Sequence, residues 1–125
     1  MITDFSTKNP LVLAFVGDAY WTLYVREQLG RNSNAKAGAL HLSANKYVSA
    51  TAQAGFFEKI APFLSDTEIA IAGRARNADS HTRPKNCTLA KYKLATAFEA
   101  VVGYNYLIGN IAHLENLFKL IGEIK

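Results

Sequence analysis

The chain has 125 residues, 14 Lys and Arg against 10 Asp and Glu, and a formal net charge of +4. That length holds one domain, residues 1–125, and half the residues are hydrophobic, so a core can form without disulfide or metal staples. The lone Cys87 excludes an intramolecular disulfide and suits a reducing, cytoplasmic setting. The opening Met1-Ile2-Thr3-Asp4-Phe5 lacks the basic and apolar regions of a signal peptide. The most apolar run, Leu11 to Val25, is interrupted by Asp18 and falls short of the roughly 20 residues of a bilayer span.

The pattern predicts an all-α chain. Asn9 before Pro10 is an N-cap with proline at the first helical position, opening a helix expected to stop at Gly30. Residues 31–38 are small and polar and are expected to form a loop. Apolar Leu40, Tyr47, Val48 and Phe56 then fit one face of a single helix from Ala39 to Ala61, ended by Pro62. Ser65-Asp66-Thr67-Glu68 is a capping box that starts a short helix through Arg76. Residues 77–87 have no periodicity and predict a surface loop. Thr88 can cap a long helix to about Leu107. Gly109-Asn110 breaks it, and Asn110 is expected to cap a last helix whose stripe is Ile111, Leu114, Leu117, Phe118 and Ile121. No segment alternates with period two, so a sheet is unsupported.

The positive surplus is confined. Residues 74–93 hold Arg74, Arg76, Arg83, Lys85, Lys91 and Lys93 against Asp79 and carry +5, leaving the rest of the chain at −1. Clustered charge of this kind suits a polyanion contact. A solvated loop would share the composition, and the two readings stay open on charge alone. Arg and Lys would hold phosphates, and Asn77 and Asn86 could hydrogen-bond a sugar hydroxyl.

Two acids stand in apolar helical surroundings. Asp18 has Ala14, Phe15, Trp21 and Thr22 at three and four residues' spacing, and Glu99 has Ala95, Thr96, Val102 and Gly103. A buried carboxylate neutralises, pairs with a cation, or binds a metal. Small neighbours Gly17, Ala19, Ala97, Ala100 and Gly103 leave space for an ion with its waters, and Mg2+ commonly uses one or two carboxylates. Pairing with an Arg or with backbone amides is the alternative.

These two segments carry a resemblance. Leu13-Ala14-Phe15-Val16-Gly17-Asp18-Ala19 resembles the signature helix of the ribonuclease III catalytic domain, and Thr96-Ala97-Phe98-Glu99-Ala100-Val101-Val102-Gly103 resembles its closing signature. Gly73-Arg74-Ala75-Arg76-Asn77-Ala78, Pro84-Lys85-Asn86, Leu40-His41, Tyr47-Val48-Ser49-Ala50 and Gln53-Ala54 are similar to the Mini-ribonuclease III branch, in order and over nearly the whole chain. The resemblance implies a ribonuclease III-like helical homodimer acting as a Mg2+-dependent endoribonuclease on double-stranded RNA. In the Mini branch it implies maturation of 23S ribosomal RNA precursor near both ends, without an appended double-stranded-RNA-binding domain. The chain stops at Lys125, as that branch would lead one to expect.

The chain departs from the full-length family. Leu11, Ala14 and Thr96 stand where that family has acids, and a further Glu is absent around Ala39. The Mini branch shares these losses. Two protein carboxylates suit one Mg2+, and a second ion would lean on the RNA.

The expected catalytic and metal-holding pair is therefore Asp18 and Glu99. They would meet across a helix pair and support in-line attack of water that leaves a 5′ phosphate and a 3′ hydroxyl. The expected RNA contacts are Arg74, Arg76, Asn77, Arg83, Lys85, Asn86 and Lys91. His41, His81 and His113 are scattered, and His41 reads as structural or RNA-facing rather than catalytic. The excess apolar surface of the first helix, with Phe15, Tyr20, Trp21 and Tyr24, is the candidate dimer interface. The resemblance places the Phe15 position against the partner subunit. A ribosomal protein presenting the substrate is a further expected partner. Competing readings are a non-catalytic RNA-binding or ribosome-associated scaffold on the same fold, and a small helical DNA-binding regulator. The first has no use for unpaired acids, and the second would want its cations on a recognition helix.

Overall fold

Asn9 accepts a hydrogen bond from the Leu11 N–H at 2.9 Å, and Pro10 opens helix α1 (Pro10–Asn32). The computed structural model describes residues 4–78 and 86–125, and Asp79, His81, Arg83, Pro84 and Lys85 lie outside the described residues. After α1 come α2 (Ala37–Val48), α3 (Ala50–Ile60), α4 (Asp66–Asn77), α5 (Leu89–Leu107) and α6 (Ile111–Ile121), with 3-10 turns at Phe5–Thr7 and Ala61–Phe63. Among the described residues there is no strand. No described helix is long and apolar enough to cross a membrane.

Some boundaries and one cap differ from the expected ones. Helix α1 passes through Gly30 and leaves the helical conformation at Ser33, which is extended. A C′ glycine ends a helix by taking positive φ, and among the described residues only Gly109 and Gly122 do so. The helix expected over Ala39 to Ala61 is two helices. Ser49 is extended (φ −65°, ψ 153°), and its hydroxyl accepts from Ala52 N–H at 3.2 Å, which starts α3 in a new direction. The apolar spacing runs through this break and conceals it. Asn110 precedes α6 but makes no side-chain capping bond. The remaining caps form as expected. Ser65 and Glu68 bond reciprocally at 2.9 and 3.2 Å, and the Thr88 hydroxyl accepts from Lys91 N–H at 3.2 Å.

Helix α5 is the hub on which α1, α3 and α4 pack. Ala97, Phe98, Ala100, Val101 and Val102 are fully buried, so this helix is apolar nearly all round rather than along one stripe. Trp21 meets it edge-on, 5.2 Å from the Phe98 ring, and its Nε1 donates to the Tyr47 carbonyl at 2.8 Å. Phe56, Phe118 and Tyr24 complete the aromatic cluster around Trp21. The stripe on α6 closes the core with Leu114, Leu117, Phe118 and Ile121.

Candidate active site at the crossing of α1 and α5

Helices α1 and α5 touch backbone to backbone. A Cβ at Gly17 would lie 1.7 Å from the Glu99 carbonyl oxygen, and a Cβ at Gly103 would lie 1.9 Å from the Leu13 carbonyl oxygen. No other residue fits at either position without moving main chain. Successive residues of a helix turn by about 100°. With Gly17 on the contact line, Asp18 therefore projects at its edge. Asp18 is exposed, not buried as the apolar neighbours suggested, and Glu99 is half-buried.

The two carboxyl groups meet there. Burial pushes the Glu99 carboxyl up to about 9, and a hydrogen bond with Asp18 and the Asp18 charge push it the same way. Among the described residues neither acid forms an ion pair with an Arg or Lys. The two carboxyls face and repel each other, and among the described residues no cation pairs with either. A hard cation would relieve that repulsion. Among the described residues no group of three or more His, Cys, Asp or Glu converges to hold a metal, so the donor set is the pair alone. Such a set fits Mg2+, which retains waters, and does not fit a tetrahedral protein cage. Thr96, one turn before Glu99, is spent internally and donates to the Tyr92 carbonyl at 3.0 Å.

The expected RNA-contacting residues divide. Arg76 and Asn77 are exposed at the end of α4, and Asn86 and Lys91 are exposed around the start of α5. The Arg74 guanidinium donates to the Ser6 carbonyl and clips the Phe5–Thr7 turn to α4. Arg83 and Lys85 lie outside the described residues.

The expected dimer face is corrected in part. Trp21 has no exposed surface and belongs to the core, because α5, α3 and α6 surround it. Tyr20 and Tyr24 are half-buried and pack on Phe118. Phe15 is 79% exposed, with Val12 and Leu23 also exposed on the same helix. Val16, Ala19, Tyr20 and Tyr106 join Phe15 and Leu23 around an apolar groove of about 280 Å3.

The model of the ribonuclease III domain matches residues 11–110, which contain both acids, α1 from its second residue onward and all of α2 to α5. The chain belongs to the ribonuclease III family. Curated relatives identify the branch. The chain is 43% identical over 116 residues to the Mini-ribonuclease 3 of Thermoanaerobacter sp., covering 93% of this chain and 82% of that one. It is 38% identical over 126 residues to the Mini-ribonuclease 3 of Enterococcus faecalis, covering 96% of each. A crystal structure of a Fusobacterium nucleatum protein superposes with a TM-score of 0.86 at 30% identity, covering 97% of this chain and 96% of that one. Family membership makes the chain an endoribonuclease and accounts for the all-helical architecture.

One charged site escaped the sequence reading. Glu68, the capping-box acid, is buried, and its carboxylate accepts from Ser65 N–H at 2.9 Å and Asn105 Nδ2 at 2.8 Å. His113 Nε2 lies 3.0 Å away. Burial alone would raise this carboxyl, but those hydrogen bonds outweigh it and hold Glu68 below its ordinary value. With Glu68 ionised, His113 Nε2 carries the hydrogen. The capping box explained Glu68 locally, and only the packing of α4, α5 and α6 brings the distant Asn105 and His113 to it.

Proposed function

We propose that this ribonuclease III-family endoribonuclease cleaves double-stranded RNA with Mg2+ held by Asp18 and Glu99, and that its substrate is 23S ribosomal RNA precursor. The observation that carries this reading is the meeting of the two carboxyls at a crossing made so close by Gly17 and Gly103. When bound, Mg2+ supplies Lewis-acid stabilisation of phosphoryl charge and lowers the pKa of the attacking water. The chain's own part is geometric. The α1–α5 contact fixes both carboxyls on helices, and the exposure of Asp18 leaves it accessible to a phosphodiester. Half-buried Glu99 would hold such a cation as a carboxylate beside Asp18.

Arg76, Asn77, Asn86 and Lys91 are suited to contact phosphates and ribose hydroxyls beside the cut. Duplex RNA offers those groups in its wide minor groove, so recognition rests on shape more than on base sequence. The apolar face around Phe15 is suited to a second copy of the chain, which would bring two sites to one duplex.

The test compares duplex RNA, duplex DNA and single-stranded RNA, each with and without Mg2+. Cleavage is expected of duplex RNA with Mg2+ alone, leaving 5′ phosphates. Asp18→Asn, with helicity checked by circular dichroism, is expected to lose at least ~1,000-fold in rate, since metal-held charge stabilisation supplies several kcal/mol. A variant that cuts at near wild-type rate removes the assignment, and RNA binding without cleavage by the wild type leaves the scaffold reading. Phe15→Lys is expected to halve the mass in sedimentation, because burying an unpaired charge costs several kcal/mol.

A further inference from the structure

The proposed function uses the α1–α5 crossing and the region around residues 76–91, and leaves a second feature of α1 unexplained. A pocket of about 200 Å3 lies where the C-terminal half of α1 meets the start of α2, lined by Arg26, Leu29, Ala37, Leu40, His41 and Ala44. Leu29 and Ala44 are buried and form its floor, while Arg26 and His41 are exposed at its rim. Among the described residues neither Arg26 nor His41 has an ion pair. The acid next in sequence to Arg26, Glu27, is engaged by Arg31 at 3.5 Å. From there to Glu58 the chain has Arg31, Lys36, His41 and Lys46 and no acid at all. The chain segment that forms the pocket is therefore net positive, outside the 74–93 cluster.

Its position on α1 is informative. Asp18, Thr22 and Arg26 follow at intervals of four, along one ridge of the helix. Eight residues at 1.5 Å rise put Arg26 about 12 Å along α1 from Asp18. A backbone strand whose phosphate lies at Asp18 would reach the Arg26 pocket within a few nucleotides. The pocket is also the wrong shape for a bare anion. Its floor is aliphatic, and only its rim is cationic or polar. A ribose–phosphate unit has matching halves, an apolar C–H edge for Leu29 and Ala44, and an anionic phosphate for a guanidinium fork.

We propose that this pocket receives one ribose–phosphate unit of the RNA backbone, with Arg26 on the phosphate and His41 on the 2′-hydroxyl. The site rests on the duplex-RNA reading above and extends it from the cut to a second anchor along the same helix. Arg26 supplies charge-assisted hydrogen bonds, and His41 supplies a ring nitrogen within reach of a group that DNA lacks. Neither side chain touches the reacting atoms, so both act by positioning the duplex.

The experiment uses the full-length chain and four proteins: wild type, Arg26→Gln, His41→Ala, and Lys119→Gln as a charge control on α6. Steady-state cleavage of a duplex RNA with Mg2+ gives kcat and KM at several salt concentrations, and duplex DNA of the same sequence serves as competitor. Arg26→Gln is expected to raise KM about tenfold with kcat within about twofold, and to lower the salt slope of binding by about 1. His41→Ala is expected to narrow the preference for RNA over DNA about threefold, one lost neutral hydrogen bond. Lys119→Gln is expected to match wild type. If Arg26→Gln and His41→Ala both match Lys119→Gln while the wild type cleaves duplex RNA, the anchor is overturned and the duplex-RNA reading stands. If the wild type does not cleave duplex RNA, that reading is overturned and the anchor with it.

Discussion

Glu68 and Glu99 are both withdrawn from water by helix packing, Glu68 of α4 against α5 and α6 and Glu99 of α5 against α1, yet they are driven in opposite directions. Glu68 is the more buried, with three hydrogen-bond donors aimed at it, and stays ionised below its ordinary range. Glu99 keeps some exposure, faces a second carboxyl, and rises to about 9. Burial penalises both charges, and what decides the outcome is whether the neighbours donate or repel. Glu68 is thus a completed internal contact that ties α4 and α6 to α5. The pair of Glu99 and Asp18 has no cationic partner among the described residues.

The two acids also give opposite pH dependence. Glu68 titrates low in the folded chain, so its contribution to stability is present above its unfolded value and lost as the pH falls through the folded one. Glu99 titrates high, so the unfolded chain loses its proton first and stability declines as the pH rises from about 4.5 towards 9. Metal-free protein should therefore be most stable on the acidic side of neutrality.

The sharpest way to break this comparison is to move the helices apart. Gly17→Ala puts a Cβ into the Glu99 carbonyl, where only backbone can yield, and is expected to cost about 4 kcal/mol in chemical denaturation. It should also bring Glu99 back towards an ordinary carboxylate value in an NMR titration. A Glu99 still titrating near 9 would assign the shift to burial alone. Next in size is Glu68→Ala, which leaves Asn105 and His113 facing an empty polar site and should cost about 3 kcal/mol. Cleavage per folded molecule should be little changed, because Glu68 belongs to no part of the α1–α5 site, and a large loss of kcat would join the two sites functionally. The last effect has the opposite sign and depends on pH. Glu99→Gln without metal should raise stability at pH 8 and leave it unchanged near pH 4, since it removes only the charge-dependent penalty. A destabilised Glu99→Gln at pH 8 would mean that the ionised carboxylate has a partner in the fold.

Much of this was legible along the chain because it is local. Asn9-Pro10, the Ser65–Glu68 capping box and Thr88 act over three or four residues, and each begins its helix where expected. The Gly-Asp and Glu-Ala-Val-Val-Gly segments, which carried the family resemblance, also marked the acids that the structure brings together. The break at Ser49 was concealed because apolar spacing continues across it. Trp21 was mistaken for interface because an aromatic on an apolar helix reads the same inside or out.

The sequence by itself determined the helical class, most helix starts, the positive cluster and the identity of the two acids, since caps, periodicity and charge are properties of neighbouring residues. Only the tertiary structure decided that Gly17 and Gly103 bring α1 and α5 into backbone contact, that Glu68 is a satisfied internal charge, and that Arg26 and His41 share one pocket. Those facts depend on distances between residues far apart in sequence, and such distances are set by which surfaces pack together.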